Sequence, residues 1–246
     1  MLYCKAKSKN EDNRKEVGKE RPQYGGDDFP SLIGKGRMII RDSGDLRILV
    51  KLVQYLGSIR YWEDKDHGIW EWTEKVHTSS VGACLVGLKA ISKYVSVPNE
   101  LTEKAQEALD MLLPSESKSK GTDLALLSLI YPYDIVSPAQ RDAILKNVEE
   151  KLVRKRGVIR YPGEHYYNRK GEAEWTMGFP WLAIIYKKLG NRKKYGHYMG
   201  KAMFVMNSAR ELPELYFAGS PEHNENSPLG WAQSLYLVAL AERTAS

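Results

Sequence analysis

The sequence predicts an all-α fold. Apolar residues recur at spacings of three and four through most of the chain, alternating strand patterns are nearly absent, and Ser-Pro pairs stand where helices would open. At 246 residues the chain is long enough to bury a substantial core, and 42% hydrophobic against 28% charged residues excludes a mostly disordered protein.

Residues 5 to 36 are polar and rich in glycine and proline, with no helical or strand period, so residues 1–36 are expected to form a loop or arm ahead of one domain over 37–246. The first helical stripe runs through Leu46, Leu49, Val50, Val53 and Leu56. Val81, Leu85, Leu88 and Ile91 make the second, where Gly82, Ala83 and Gly87 allow close helix approach. Leu101, Ala105, Ala108, Leu109 and Leu112 make the third, ended by a polar linker from Pro114 to Gly121. A short apolar helix is expected over Asp123 to Ile130. Ser137-Pro138 reads as an N-cap and first helical residue ahead of Ile144, Leu145, Val148 and Leu152. Trp181, Leu182, Ile185 and Leu189 follow, with Gly190 as C-terminal cap; then Tyr195, Tyr198, Met199, Ala202, Met203 and Met206. Ser227-Pro228 repeats the cap signal before Leu229, Ala232, Leu235, Tyr236, Ala239 and Leu240. The count is about eight helices.

Several functional classes lose support at this level. No apolar run approaches the roughly 20 residues needed to cross a bilayer. Met1-Leu2-Tyr3-Cys4 runs at once into charge, so no signal peptide is expected, and two cysteines, Cys4 and Cys84, make no disulfide framework; a cytoplasmic location is expected. The net charge of +6 is mild, and basic residues alternate with acids, as in Lys15-Glu16 and Asp64-Lys65-Asp66, which argues against a nucleic-acid surface. Phosphate-binding, dinucleotide-binding and serine-hydrolase signatures are absent. His67, Glu71 and His77 fit no zinc spacing, and neither metal nor organic cofactor is expected.

Fifteen tyrosines and six tryptophans against four phenylalanines give the chain many rings with a polar handle. Sugar clefts use such surfaces, and so do protein interfaces. These rings cluster in three long connections, over 60–77, 157–174 and 212–226, which are better places for function than the helices that present them. In the first, Glu71 lies between Trp70 and Trp72; a carboxylate kept dry between rings is suited to donate a proton, although a surface Glu beside two core tryptophans fits the same residues. In the second, Arg160 stands with Tyr161, Glu164, Tyr166 and Tyr167, a set that suits hydroxyl-rich ligands or else a turn closed by an Arg160–Glu164 pair. In the third, Glu214 follows Leu212-Pro213, ahead of Glu222, Asn224, Glu225 and Asn226.

Together, and in this order, the three connections resemble glycoside hydrolase family 15, the glucoamylase family. Asp66-His67-Gly68-Ile69-Trp70-Glu71 is similar to its D-x-G-I-W-E segment, Arg160-Tyr161-Pro162 through Tyr167 to its R-Y-P-x-D-x-Y-Y loop, and Pro213-Glu214 with Pro228-Leu229-Gly230-Trp231 to its closing segment. The region after the first loop is also similar to the glucoamylase-like part of the phosphorylase kinase α and β subunits. The resemblance covers roughly residues 42 to 243 and implies an (α/α)6 toroid, here expected to be incomplete at its N-terminus. It implies Glu71 as general acid and Glu214 as general base of an inverting hydrolysis of α-1,4-glucosidic bonds at non-reducing ends of glucans or malto-oligosaccharides. Trp70 and Arg160 would contact the innermost sugar, with Tyr161, Glu164, Glu174 and Trp175 lining the same pocket. Trp72 stands where family members often carry a second acid, and Asp42-Ser43-Gly44-Asp45 matches poorly the N-terminal element that grips the terminal sugar. A glucan-sensing regulatory module and an inactive fragment are the alternatives. Exposed apolar flanks would favour self-association or a complementary N-terminal piece.

Overall fold

The computed structural model of the protein describes residues 40–244; the arm expected over 1–36 lies outside them. The described residues form helices α1 (Ser43–Ser58), α2 (Thr78–Ile91), α3 (Asn99–Leu112), α4 (Leu127–Ile130), α5 (Pro138–Lys151), α6 (Gly178–Lys188), α7 (Arg192–Phe204) and α8 (Gly230–Thr244). A short 3-10 helix, Leu124–Leu126, leads into α4, so the expected apolar helix over 123–130 is split in two. Strands β1 (Glu174–Trp175) and β2 (Leu215–Tyr216) pair antiparallel, with Glu174 opposite Tyr216 and Trp175 opposite Leu215.

Local chemistry sets the helix ends. The Asp42 carboxylate accepts from the Gly44 and Asp45 amides to open α1. Ser137 and Gln140 form a reciprocal capping box with Pro138 at the first position of α5. Gly190, at φ 70°, follows the end of α6 and donates its amide to the Lys187 carbonyl. Ser227-Pro228 does something else. Helix α8 begins only at Gly230, and the Ser227 hydroxyl accepts from Asn207 and donates to Glu211, tying the third connection together instead of capping a helix.

One apolar cluster joins α2, α3 and the inner face of α1 through Val53, Leu56, Leu85, Leu88 and Leu109. A larger one is built around α6, in which every residue from Gly178 to Tyr186 is buried because α7 and α8 pack against it and α4 links it to α2. The connections entering α2, α4, α6 and α8 touch one another in turn: Trp70 reaches Asp123, Leu124 reaches Arg160 and Thr176 reaches Glu214. The three ring-bearing loops and the 113–126 segment are those connections.

The segment Pro114–Gly121 is more than a solvated linker. Ser117 and Lys120 exchange backbone hydrogen bonds of 2.9 and 3.2 Å, Glu116 N–H donates to the Gly121 carbonyl at 2.9 Å, and Glu116 and Ser117 are buried. Glu116 and Lys120 turn inward to meet polar groups of the protein, which residue type alone does not distinguish from a linker.

Candidate active site

The first loop is closed at its base by Asp66 and Lys75, which exchange backbone hydrogen bonds of 2.9 Å. The Asp66 carboxylate accepts from the Gly68 amide at 2.6 Å and the Ser80 hydroxyl at 3.0 Å, fixing the loop to the start of α2. Gly68 sits at φ 65° against the His77 ring, where a Cβ would come within 3.0 Å of three ring atoms, so the turn needs glycine twice over. His77 is buried, its Nδ1 3.2 Å from Glu116 Oε1 and its Nε2 3.0 Å from the Thr73 carbonyl. Glu116 also accepts from the Ser79 hydroxyl at 2.5 Å. With acceptors on both ring nitrogens, the imidazolium is the form that fits. At the tip the chain turns through φ 53° at Glu71. Trp70 is thereby directed inward, its indole N–H donating to Asp123 at 2.7 Å, while Glu71 and Trp72 are exposed, Trp72 at 53%. Of the two readings of Glu71, the dry slot between two rings is not formed, because the turn sends its two tryptophan neighbours apart, and Glu71 is a surface residue.

The second loop supplies the wall. Arg160 pairs with Glu164, which is fully buried and also accepts from the Trp175 indole N–H at 3.3 Å. The guanidinium carbon lies 4.2 Å from the centre of the Trp175 ring, 5.0 Å from Trp70 and 5.2 Å from Tyr166. Tyr166 stacks on Trp175 at 5.8 Å, and Trp70 lies 6.4 Å from Trp175 and 5.9 Å from Trp231. Burial pushes the Glu164 carboxyl above the ordinary carboxylate range, and Arg160 pulls it back only in part. Gly157 lets this loop close: a Cβ there would fall 2.4 Å from the Glu174 carbonyl carbon.

The third loop brings in Glu214, half-buried beside β2. Thr176 N–H donates to its carbonyl at 3.2 Å, and its own N–H donates to the Asn226 carbonyl at 2.9 Å. Its Oε2 accepts from two side-chain amides, Asn224 at 2.5 Å and Asn226 at 2.8 Å, leaving Oε1 without a donor among the described residues. Burial, reinforced by the Glu214 charge, holds the Tyr166 hydroxyl above the ordinary tyrosine range.

Of the residues singled out in the sequence, Trp70, Arg160, Glu164 and Trp175 meet in one cluster, with Tyr161 at its edge under Lys120 and Glu214 reached through Thr176 and Tyr166. Glu71 is carried to the same end, next to Trp70. Glu174 is directed elsewhere. Strand alternation puts it on the face opposite Trp175, and its carboxylate accepts from the Arg156 amide at 2.6 Å and the Gly219 amide at 3.2 Å. Trp231, Asp123 and Lys120 were not singled out as site residues. Asp123 ahead of an apolar run, with Lys120 three residues earlier, was the only trace of the last two.

No protein-family profile matches the sequence. Among curated relatives, the chain is 24% identical over 264 aligned positions to the probable phosphorylase b kinase regulatory subunit alpha of Caenorhabditis elegans, covering 84% of this chain and 21% of that one. It is 25% identical over 203 positions to Trehalase 1 of Sulfolobus acidocaldarius, covering 77% of this chain and 36% of the relative. Among solved structures, a wild-type glycosidase superposes with a TM-score of 0.63 at 20% identity, over 77% of this chain and 57% of that one. The glucoamylase from Saccharomycopsis fibuligera superposes at 0.59 with 12% identity, over 78% and 60%. The chain thus spans about a fifth of the kinase subunit and under two thirds of each glycosidase. The described residues take the fold of part of the glucoamylase-like, six-hairpin (α/α)6 toroid of glycosidases. Within that class the molecule is a glycoside-hydrolase-like module with its ring-lined cluster at one end of the helices.

Proposed function

We propose that the chain is a glucoamylase-like hydrolase that cleaves α-1,4-glucosidic bonds from the non-reducing ends of malto-oligosaccharides with inversion. The observation that carries this reading is the setting of Glu214. Two amides on Oε2 fix the orientation of the carboxylate, while Oε1 is left to orient and deprotonate a water. Glu71 would protonate the leaving oxygen from the facing loop. An inverting pair stands about 6.5–9.5 Å apart, with room for that water. The Trp70, Tyr166 and Trp231 rings offer apolar faces for a glucose ring, backed by the buried Trp175, and the Arg160 guanidinium at their base offers hydrogen bonds to its hydroxyls. The chemistry needs no metal or organic cofactor, and the expected partner is the oligosaccharide.

A second reading, carbohydrate sensing without turnover, rests on the exposure of Glu71, which neither neighbouring tryptophan shelters. The kinase relatives are named as regulatory subunits. Calorimetric titration with maltotriose, followed by an assay for free glucose, separates the two. Binding with release supports the hydrolase, binding without release supports the sensor, and no binding removes both.

A further inference from the structure

Asp123 is fully buried, and its carboxylate meets the Trp70 loop at one end and its own segment at the other. Oδ1 accepts from the Trp70 indole N–H at 2.7 Å and from the Ala125 amide at 2.7 Å; Lys120 Nζ lies 2.5 Å from Oδ2. The same ammonium sits 3.5 Å above the centre of the Tyr161 ring, and the Leu124 amide donates to the Arg160 carbonyl at 2.8 Å. The 116–123 strap therefore grips the first loop at two points, at His77 and Ser79 through Glu116 and at Trp70 through Asp123, while its other side holds the second loop.

We propose that Asp123, paired with Lys120, is a positioning residue that fixes the plane of Trp70 and so sets one wall of the sugar site and the start of the Glu71 turn. A buried carboxylate is tolerated only when paired, and an indole N–H aimed at a charged oxygen has one favoured ring orientation. Without that acceptor the Trp70 ring is free to turn about its side-chain bonds, and its stacking with Trp175, Trp231 and Arg160 is lost in part. The ligand side of this inference rests on the carbohydrate reading above; the geometric side does not.

Fluorine NMR of protein labelled with fluorotryptophan tests it, with the Trp70 signal assigned by its loss in Trp70→Phe. Asp123→Ala should shift that signal and weaken maltotriose binding about tenfold. In the Trp70→Phe background the same change should alter affinity by less than about twofold, because Asp123 acts through the indole. Hydrogen exchange of the indole N–H in the unmodified protein needs no variant to fold: Trp70 should exchange more slowly than exposed Trp72. An unmoved Trp70 signal in folded Asp123→Ala, an equal loss of affinity in the Trp70→Phe background, or exchange as fast as that of Trp72 would overturn the proposal. If the unmodified protein binds no maltotriose, the carbohydrate reading fails while the two NMR measurements still decide the role of Asp123.

Discussion

Arg160 faces Trp175 in two ways at once: its guanidinium lies 4.2 Å from the ring centre, and both residues donate N–H groups to the carboxylate of Glu164. That carboxylate has no solvent exposure, so the arginine is structural as well as ligand-facing. Arg160→Ala strands a buried charge and is expected to lower stability by about 3–5 kcal/mol, read from urea unfolding, together with a loss of maltotriose affinity. A double variant, Arg160→Met with Glu164→Gln, removes the stranded charge and should recover part of the stability but none of the affinity.

Glu174 and Glu214 lie in loops that pair through β1 and β2, yet they should behave in opposite ways. Glu174→Ala removes the acceptor for the Arg156 and Gly219 amides and is expected to cost about 1–3 kcal/mol of stability while leaving sugar affinity unchanged. Loss of affinity without loss of stability would place Glu174 in the sugar site instead.

Gly157 is required by close approach. Gly157→Ala puts a methyl group into the backbone of Glu174, which has no rotamer to yield, and should cost about 1–3 kcal/mol by forcing the second loop away from β1. A melting temperature equal to that of the unmodified protein would contradict the packing described here.

His77 gives the stability a pH dependence with a definite sign. Burial pulls its pKa down, but the Glu116 carboxylate and the Thr73 carbonyl together push it above the ordinary value of 6.5. Burial also raises the Glu116 carboxyl. His77 holds its proton more tightly in the folded protein, so its contribution is complete below the ordinary histidine value and fades as pH rises through the folded one. Urea unfolding between about pH 6 and pH 9 should show declining stability, and His77→Gln should remove most of that slope. A slope unchanged in the variant would mean that other groups set it.

Long-range periodicity made the helices readable. Stripes such as Leu101, Ala105, Ala108 and Leu112 became α3 because one buried face is all that such a helix needs, and the Ser137-Pro138 signal became a complete capping box. The same Ser-Pro pair at 227 failed, because its hydroxyl found the Glu211 and Asn207 side chains first, and nothing local announces that competition. In the site, Trp70, Arg160 and Trp175 stood out by type and motif. What did not was direction. A left-handed turn at Glu71 exposes a carboxylate that two flanking tryptophans seemed to shelter, and strand alternation points Glu174 away from its neighbour's ring. Lys120 was hidden inside a segment whose composition reads as linker and Asp123 at the start of an apolar helix, since their partners are Tyr161 and, 53 residues away, Trp70.

The central claim is that Glu71 and Glu214 act as acid and base on a bound glucan. Glucose release from maltotriose, with the anomer followed by proton NMR, tests it in the unmodified chain and in Glu71→Gln and Glu214→Gln. The account predicts initial release of the β-anomer and a fall of about 100-fold or more in rate for either variant, with affinity largely kept, because glutamine preserves size but exchanges no proton. Tight binding with no glucose released, or release that neither substitution slows, would contradict it.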